Sequence, residues 1–453
     1  MEGFVLIVAS LSLFLLSYFL IERNRDGVLI SASNIIILCV DILWGILFPI
    51  VYFYSLSKPN NIYLKIISEY TALDILIYYF CIDLFLWLFI KVFRLVLEKK
   101  YVNIYSLFIP EGNSESIDNK SEQLYITSVL LFLVGVFSDF LYCRAYGGYL
   151  GYLEYSSFIR SGITDLVYNR WSFLIVFRDC VIISSYLLYS QIKDNGSIKK
   201  TRMILFIISF ICSLMILYAN RGRLTFVIYI TVFLVTYYID KRKSKYIRWN
   251  NISWGIAILV VIVFGINWVS DLVGRSSGFN MWEVICNESA FVFANFKSLL
   301  NKMSIADARL FLDIISYPVF LMPSSIWRKF LPDTASDIMT IMINGDKKGQ
   351  GTVFGETPID AISIGYLQLG IIGVFVFAVF FAVIAAKLYN RVSKIPNVKT
   401  RGILAVNIII DIFVRSLCYA DSYNIVQRSF SLVIFFLLLW ACSHIKCKRI
   451  RTT

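Results

Sequence analysis

Charge is scarce in this chain. Only 16% of its 453 residues are Asp, Glu, Lys or Arg, while 58% are hydrophobic, and the mean hydropathy is +0.72. Soluble domains carry about a quarter charged residues, so a soluble globular fold is excluded. Histidine is nearly absent as well. The single one, His444, stands at the end of the last apolar run, which leaves acid–base work elsewhere to carboxylates, tyrosines or the substrate. No Asp-x-Asp pair occurs, so the metal-binding signature of many nucleotide-sugar transferases is missing. No Gly-rich Walker loop with its Lys occurs either, which argues against ATP-driven work. None of the nine cysteines forms Cys-x-x-Cys, and Cys39, Cys81, Cys180, Cys212 and Cys442 lie within apolar runs. They read as buried small hydrophobes, with no disulfide framework and no zinc site. Internal repeats and low-complexity stretches are absent.

What is present is a series of apolar runs of the length that a hydrocarbon core of roughly 30 Å demands of a helix. Eleven transmembrane helices are expected, near residues 3–22, 29–54, 72–97, 124–142, 171–191, 203–219, 223–240, 252–270, 362–386, 402–419 and 429–445. The expected fold is therefore an all-α polytopic membrane protein, residues 1–453 forming one transmembrane domain. Phe4–Ile21 has no basic residue before it and no small-residue cleavage site, so it reads as a retained helix. The net charge of +13 comes mostly from short clusters between apolar runs, a pattern of membrane orientation and not of nucleic-acid binding. Lys241–Lys245 is the densest cluster. Counting outward from it puts Arg23/Arg25, Lys99/Lys100, 193–202, 391–401 and the tail 446–451 on the same, cytoplasmic side. The N-terminus is then outside and the C-terminus inside.

The opposite face collects unusual residues. One connection there, residues 271–361, is too long for a passive linker and precedes the last three spans. Trp282, Ile285, Phe293, Phe296, Leu300 and Met303 recur in it at helical spacing, which suits an amphipathic helix on the membrane or on the bundle. Ala308–Trp327, broken by Pro318 and Pro323, suits a surface-lying or re-entrant segment. Arg221 and Arg223 lie between spans six and seven, Arg415 and Arg428 at the outer ends of spans ten and eleven, and Arg160 in an outer connection. An arginine near hydrocarbon costs a few kcal/mol and is normally kept with a partner, either by snorkelling or in an ion pair such as Arg415 with Asp421. Several guanidinium forks together would instead neutralise a lipid-linked pyrophosphate. Glu356 and Asp360 stand before span nine in a Gly-rich stretch, where Pro358 and Gly365 break the start of the helix. Their four-residue spacing places them on one face if that stretch is helical. In span five, Arg178-Asp179 reads as a structural or pathway pair facing the bundle.

The layout resembles that of the Wzy-type family, the O-antigen and oligosaccharide repeat-unit polymerases of bacterial surface polysaccharide assembly. The patches that carry the resemblance are Asn220-Arg221-Gly222-Arg223, Met322-Pro323-Ser324-Ser325-Ile326-Trp327, "GETPIDAISIGYLQLGIIG" leading into span nine, and Arg415…Asp421…Arg428. In the first of these, Asn220 replaces the glycine usual in the family. The resemblance implies an enzyme of the bacterial inner membrane working at its outer, periplasmic face. It would transfer a glycan from undecaprenyl pyrophosphate to a sugar hydroxyl of the next lipid-linked repeat unit. Its partners would be that lipid-linked oligosaccharide, membrane lipid and a chain-length regulator protein, with no cofactor and no metal. Arg221, Arg223, Arg415, Arg428 and Arg160 would hold the pyrophosphate. Glu356, Asp421 and Asp360, in that order, are the candidates for the base that takes the hydroxyl proton.

Two rivals share parts of this pattern. An O-antigen ligase would be expected to carry a histidine in the outer loop, and this chain has none there. A translocator of lipid-linked oligosaccharide would show paired repeats and cations along a central cavity, whereas here the cations gather at one face. Topology is testable directly. Single cysteines at positions 221 and 356, on a cysteine-depleted background, should react with a membrane-impermeant thiol reagent added outside intact cells, and cysteines at 243 and 446 should not. Labelling at 221 only after lysis would overturn the orientation.

Overall fold

The structure, a computed structural model, describes residues 1–24, 27–98, 103–108, 117–161, 169–192, 197–220, 223–241, 246–247, 281–304, 307–322, 324–331 and 333–444. The expected span 252–270 and Arg221 lie outside the described residues, and Arg160 and Arg223 are placed by their helices alone.

The chain is an all-α polytopic membrane protein. Among the described residues, eight helices are long and apolar enough to cross a membrane: α1 (Glu2–Leu20), α2 (Ala32–Ser57), α4 (Ala72–Val96), α5 (Ile117–Arg144), α7 (Ser172–Ser190), α8 (Ser197–Ala219), α12 (Ala361–Ser393) and α14 (Ser422–His444). Between them lie α3 (Ile62–Ser68), α6 (Tyr149–Ser161), α9 (Arg223–Asp240), α10 (Met281–Lys302) and α11 (Ala335–Asn344). Segment α13, residues 398–418, joins two α-helical pieces through a π-helical stretch, Ile408–Val414, and carries Arg401, Asp411 and Arg415. Two of the eleven expected spans, α9 and α13, are thus short or charged; both still run between the same two ends of the bundle.

The connections sort themselves onto two ends. At one end, Arg23–Asn24, Gly27–Leu29 and Tyr246–Ile247 form a small antiparallel sheet. Beside it the Ile104 amide donates to the Ile30 carbonyl, Arg401 Nε donates to the Leu107 carbonyl, and Lys394 pairs with Glu98 at 2.6 Å. These are the connections the basic clusters had grouped together. At the other end, α10 lies on α3: Asn61 Nδ2 donates to Asn287 Oδ1, the Tyr70 hydroxyl to the Phe293 carbonyl, and Lys297 pairs with Asp74. The amphipathic helix expected around 282–303 therefore rests on the bundle, with Phe293 and Phe296 fully buried.

Packing inside is aromatic. Phe85, Phe89 and Phe93, four residues apart on α4, stack at 5.8 Å and meet Phe381 of α12 and Phe413 of α13. Without a hydrophobic drive between helices in lipid, buried polar contacts add adhesion. Trp44 Nε1 donates to the Tyr78 hydroxyl at 2.8 Å, and the Tyr79 hydroxyl to the Trp44 carbonyl at 2.7 Å.

Helix α12 is broken. Leu369 and Gly370 leave helical geometry, Gly370 at φ 57° and ψ −140°, a conformation open essentially to glycine alone. Pro358 and Gly365 are expected to break the start of the helix; Pro358 does precede α12, but Gly365 lies inside its first half, where it touches Gly373 of the second. A Cβ on Gly373 would lie 2.1 Å from the Gly365 carbonyl oxygen. The freed carbonyls of Leu367 and Gln368 are taken by the amides of Arg309 and Leu310. Gln368 Nε2 also reaches Asp313, which Arg309 grips through two nitrogens at 2.6 and 2.9 Å. The loop thereby satisfies backbone groups that lipid could not. Gly373→Ala should lower the thermal midpoint of the detergent-purified protein by several degrees, since rigid backbone cannot yield to the added carbon. An unchanged midpoint would mean the halves are free to separate.

Candidate active site

The region before α12 is held rigidly. Gly355 turns the chain at φ 114°, and the next residue is Glu356. Thr357 is buried, its amide donating to Thr340 Oγ1 at 2.9 Å and its hydroxyl meeting Tyr63 and Asn344. This stretch is not helical; α12 begins at Ala361. Glu356 and Asp360 consequently do not share a helix face. Asp360 is the buried N-cap of α12, with Oδ1 accepting from the amides of Ile362 and Ser363, both at 3.0 Å, and Oδ2 near Asn295. Asp421 is also buried. Its Oδ2 accepts from the Ser336 amide in the first turn of α11, and its Oδ1 from the Tyr423 amide in the first turn of α14, both at 2.8 Å.

Both aspartates are committed to backbone donors; Glu356 is not. Burial pushes Asp360 up to about 6 against the hydrogen bonds it accepts, and raises Asp421 as well. Glu356 is raised to about 7, first because surrounding protein displaces its water and then because Asp421 and, more weakly, Asp337 oppose its charge, with Lys348 and the Ser336 hydroxyl acting the other way. Its surface nevertheless remains open to solvent. A crowded carboxyl that water can still reach is suited to exchanging a proton near neutral pH.

Arg415 and Arg428 are brought together. They line one narrow cavity with Asp179, Thr225, Asn407 and Asp411. Arg415 does not pair with Asp421: its NH1 reaches Asp411 at 3.0 Å, one helical turn away, and its NH2 reaches Thr225 of α9 at 2.9 Å. Arg428 NH2 donates to the Tyr419 carbonyl at 3.1 Å. Arg415 Nε and Arg428 NH1 are buried with no hydrogen-bond partner among the described residues. The cavity, about 40 Å³, has room for a water or two and no more.

Arg178 is fully buried, and its partner is not its neighbour Asp179 but Asp139 of α5, at 2.6 Å. Tyr142 and Tyr152 each present a ring 4.8 Å from its guanidinium carbon, and Asn220 accepts from NH1 at 3.4 Å. The residue that opens the 220–223 patch is thus anchored to a buried ion pair.

Sequence reasoning missed the face of α14 next to Asp421. Trp327, from the 322–327 patch, is buried against Phe320 and Tyr423, ring centroids 5.1 and 5.2 Å away. Tyr423, Val426, Gln427 and Phe430 then form one wall of an apolar groove of about 270 Å³, closed by Phe177 and Phe320. Phe173 and Met322 at its rim are exposed. Arg328 lies over the Trp327 ring at 5.6 Å, is exposed, and has no acidic partner among the described residues. The signal available in the sequence was only the pair Trp327-Arg328, an arginine directly after a tryptophan. Among the described residues, no three His, Cys, Asp or Glu side chains come together as metal ligands.

Comparison of the chain with protein-family models, with curated proteins and with solved structures finds no match.

The Arg178 ion pair yields a stability prediction. Arg178→Met leaves Asp139 without its cation and should cost about 3–5 kcal/mol in reversible denaturation. Adding Asp139→Leu should recover part of that loss, because a buried pair replaced by apolar groups is far less costly than a broken one. A double variant no more stable than Arg178→Met would show that the cage, not the charge pair, carries the effect.

Proposed function

We propose that the chain polymerises oligosaccharide repeat units carried on undecaprenyl pyrophosphate, at the outer face of the bacterial inner membrane, with arginine in place of a metal ion. The observation that carries this reading is Glu356, a solvent-reached carboxyl raised to about 7 and held by the buried Thr357. It lies near α14, whose first turns join the apolar groove to the arginine cavity.

The chemistry divides among these parts. The acceptor hydroxyl attacks the anomeric carbon of the donor glycan and gives its proton to Glu356. The bond from that carbon to the pyrophosphate oxygen breaks, and the lipid pyrophosphate leaves with the electron pair. Arg328 stands by the apolar groove, which suits the first isoprene units of the carrier, and Arg415 and Arg428 lie behind it. Arg221, Arg223 and Arg160 complete the cationic set that the resemblance implies. Because the arginine cavity admits only water at its present width, entry of a phosphate there requires α9, α13 and α14 to part. Asp360 and Asp421 fix the frame through the helix ends they cap, which leaves proton removal to Glu356.

Deleting the gene should abolish the ladder of surface polysaccharide on a gel while single-repeat products persist. Loss of all surface glycan with repeats accumulating inside would mean translocation instead. For the purified enzyme, a base near 7 must be ionised to work, so the rate should climb as pH rises toward 7 and level off above it. Glu356→Gln keeps the shape but cannot take the proton, and should reduce the rate at least roughly a hundredfold and remove that pH dependence. A loss of only a few-fold would return the role to Asp421 or Asp360.

A further inference from the structure

At the opposite end of the molecule, far in the chain fold from the carboxyl and arginine site, a second groove of about 300 Å³ lies between the start of α5, the end of α12 and the last turns of α14. Its composition is mixed in an ordered way. Leu124, Phe436, Leu439 and Trp440 supply apolar walls, and Arg391 and Lys394 supply two cations. Arg391 lies in the last turn of α12 and Lys394 caps it, so the two cations stand together at one helix end. Arg391 is fixed against the wall, its guanidinium carbon 5.2 Å from the Phe436 ring centre, and it has no acidic partner among the described residues. Lys394 pairs with Glu98 at 2.6 Å, but both side chains are well exposed, 58% and 39%. Such a surface pair is worth little and exchanges readily for another anion.

We propose that this groove binds an anionic phospholipid, its phosphate held by Arg391 and Lys394 and its acyl chains laid along Phe436, Leu439 and Trp440. The site sits at the end where the basic connections gather, the level at which headgroups lie. Trp440 is 63% and Leu437 56% exposed on the flank of α14, so the apolar walls continue onto the surface that faces lipid. A soluble anion would use the two cations and leave the walls bare. A zwitterionic lipid would cover the walls and bring its own cation against Arg391. Only a lipid of net negative charge answers both halves of the groove.

The test is thermal unfolding of the full chain, purified in detergent, with added dioleoylphosphatidylglycerol, dioleoylphosphatidylcholine or inorganic phosphate. Phosphatidylglycerol should raise the midpoint by about 3–5 °C more than phosphatidylcholine does, and millimolar phosphate should leave it unmoved. In the R391Q/K394Q variant the two lipids should become equivalent. Equal effects of the two lipids on the unaltered chain, a preference that survives the double substitution, or a shift reproduced by phosphate alone would each overturn the proposal. If the double variant does not fold, R391Q alone is read by native mass spectrometry. It should retain bound phosphatidylglycerol about fivefold less than the unaltered chain, and equal retention overturns the site.

Discussion

Asp421 holds the loop end of the molecule together. One buried carboxylate accepts from the first turns of two helices that run in different parts of the chain, α11 in the long connection and α14 in the last span. Each helix start presents unsatisfied amides and partial positive charge, and a single anion between them answers both. The adjacent Ala420 amide donates to the Ile359 carbonyl at 2.7 Å, which pulls the segment carrying Glu356 and Asp360 onto the same point. Thr357, Tyr63 and Asn344 then lock that segment from the other side. Remove the anion, and the candidate base, the aromatic seat of Trp327 and the start of α14 lose their common reference.

Among the described residues, the arginines that find a carboxylate inside the bundle find it on another span or one turn away on their own helix. Arg178 finds Asp139 on another span, and Arg415 finds Asp411 behind it and Thr225 across the cavity. What these partners leave over is small and directed, the buried Arg415 Nε and Arg428 NH1 being the clearest cases. Residual donors in a space too tight for anything but water can be used only if the helices move, so binding and helix separation are a single event there.

The spans were legible because hydropathy and length are local quantities, and the grouping of the basic connections followed from charge alone. α13 was legible as a run but not as a helix with a π-helical middle, since that depends on how Asp411 and Arg415 are accommodated by neighbours. The break inside α12 at Leu369–Gly370 was not legible; the sequence marked only Pro358 and Gly365 at the start of the helix. Glycines mark where backbone must bend or touch, and sequence does not say which does which: Gly370 bends, whereas Gly365 and Gly373 touch. At the site, Glu356, Asp421 and Asp360 were ranked in that order from sequence, on the Gly-rich position of Glu356 before the helix. In the structure Asp360 is claimed by amides two and three residues on, and Asp421 by one two residues on and one from Ser336, 85 residues away; only that last partner was out of reach of the sequence. Asp139 as the partner of Arg178 was hidden for the same reason.

That separation sets an order of assembly. The Ser336 amide leaves the ribosome 85 residues before its acceptor does. At about 5–20 residues per second the interval is roughly 4–17 s. Throughout it the Ser336 amide lacks the Asp421 carboxylate, and α11 has only its own capping box, Thr334 with Asp337, at its first turn. The α11 side of the loop can be fixed to α14 only once Asp421 has been made, whereas α10 can dock on α3 and α4 earlier. Completion of this end of the molecule is therefore timed by the arrival of α14, not by the synthesis of the loop itself.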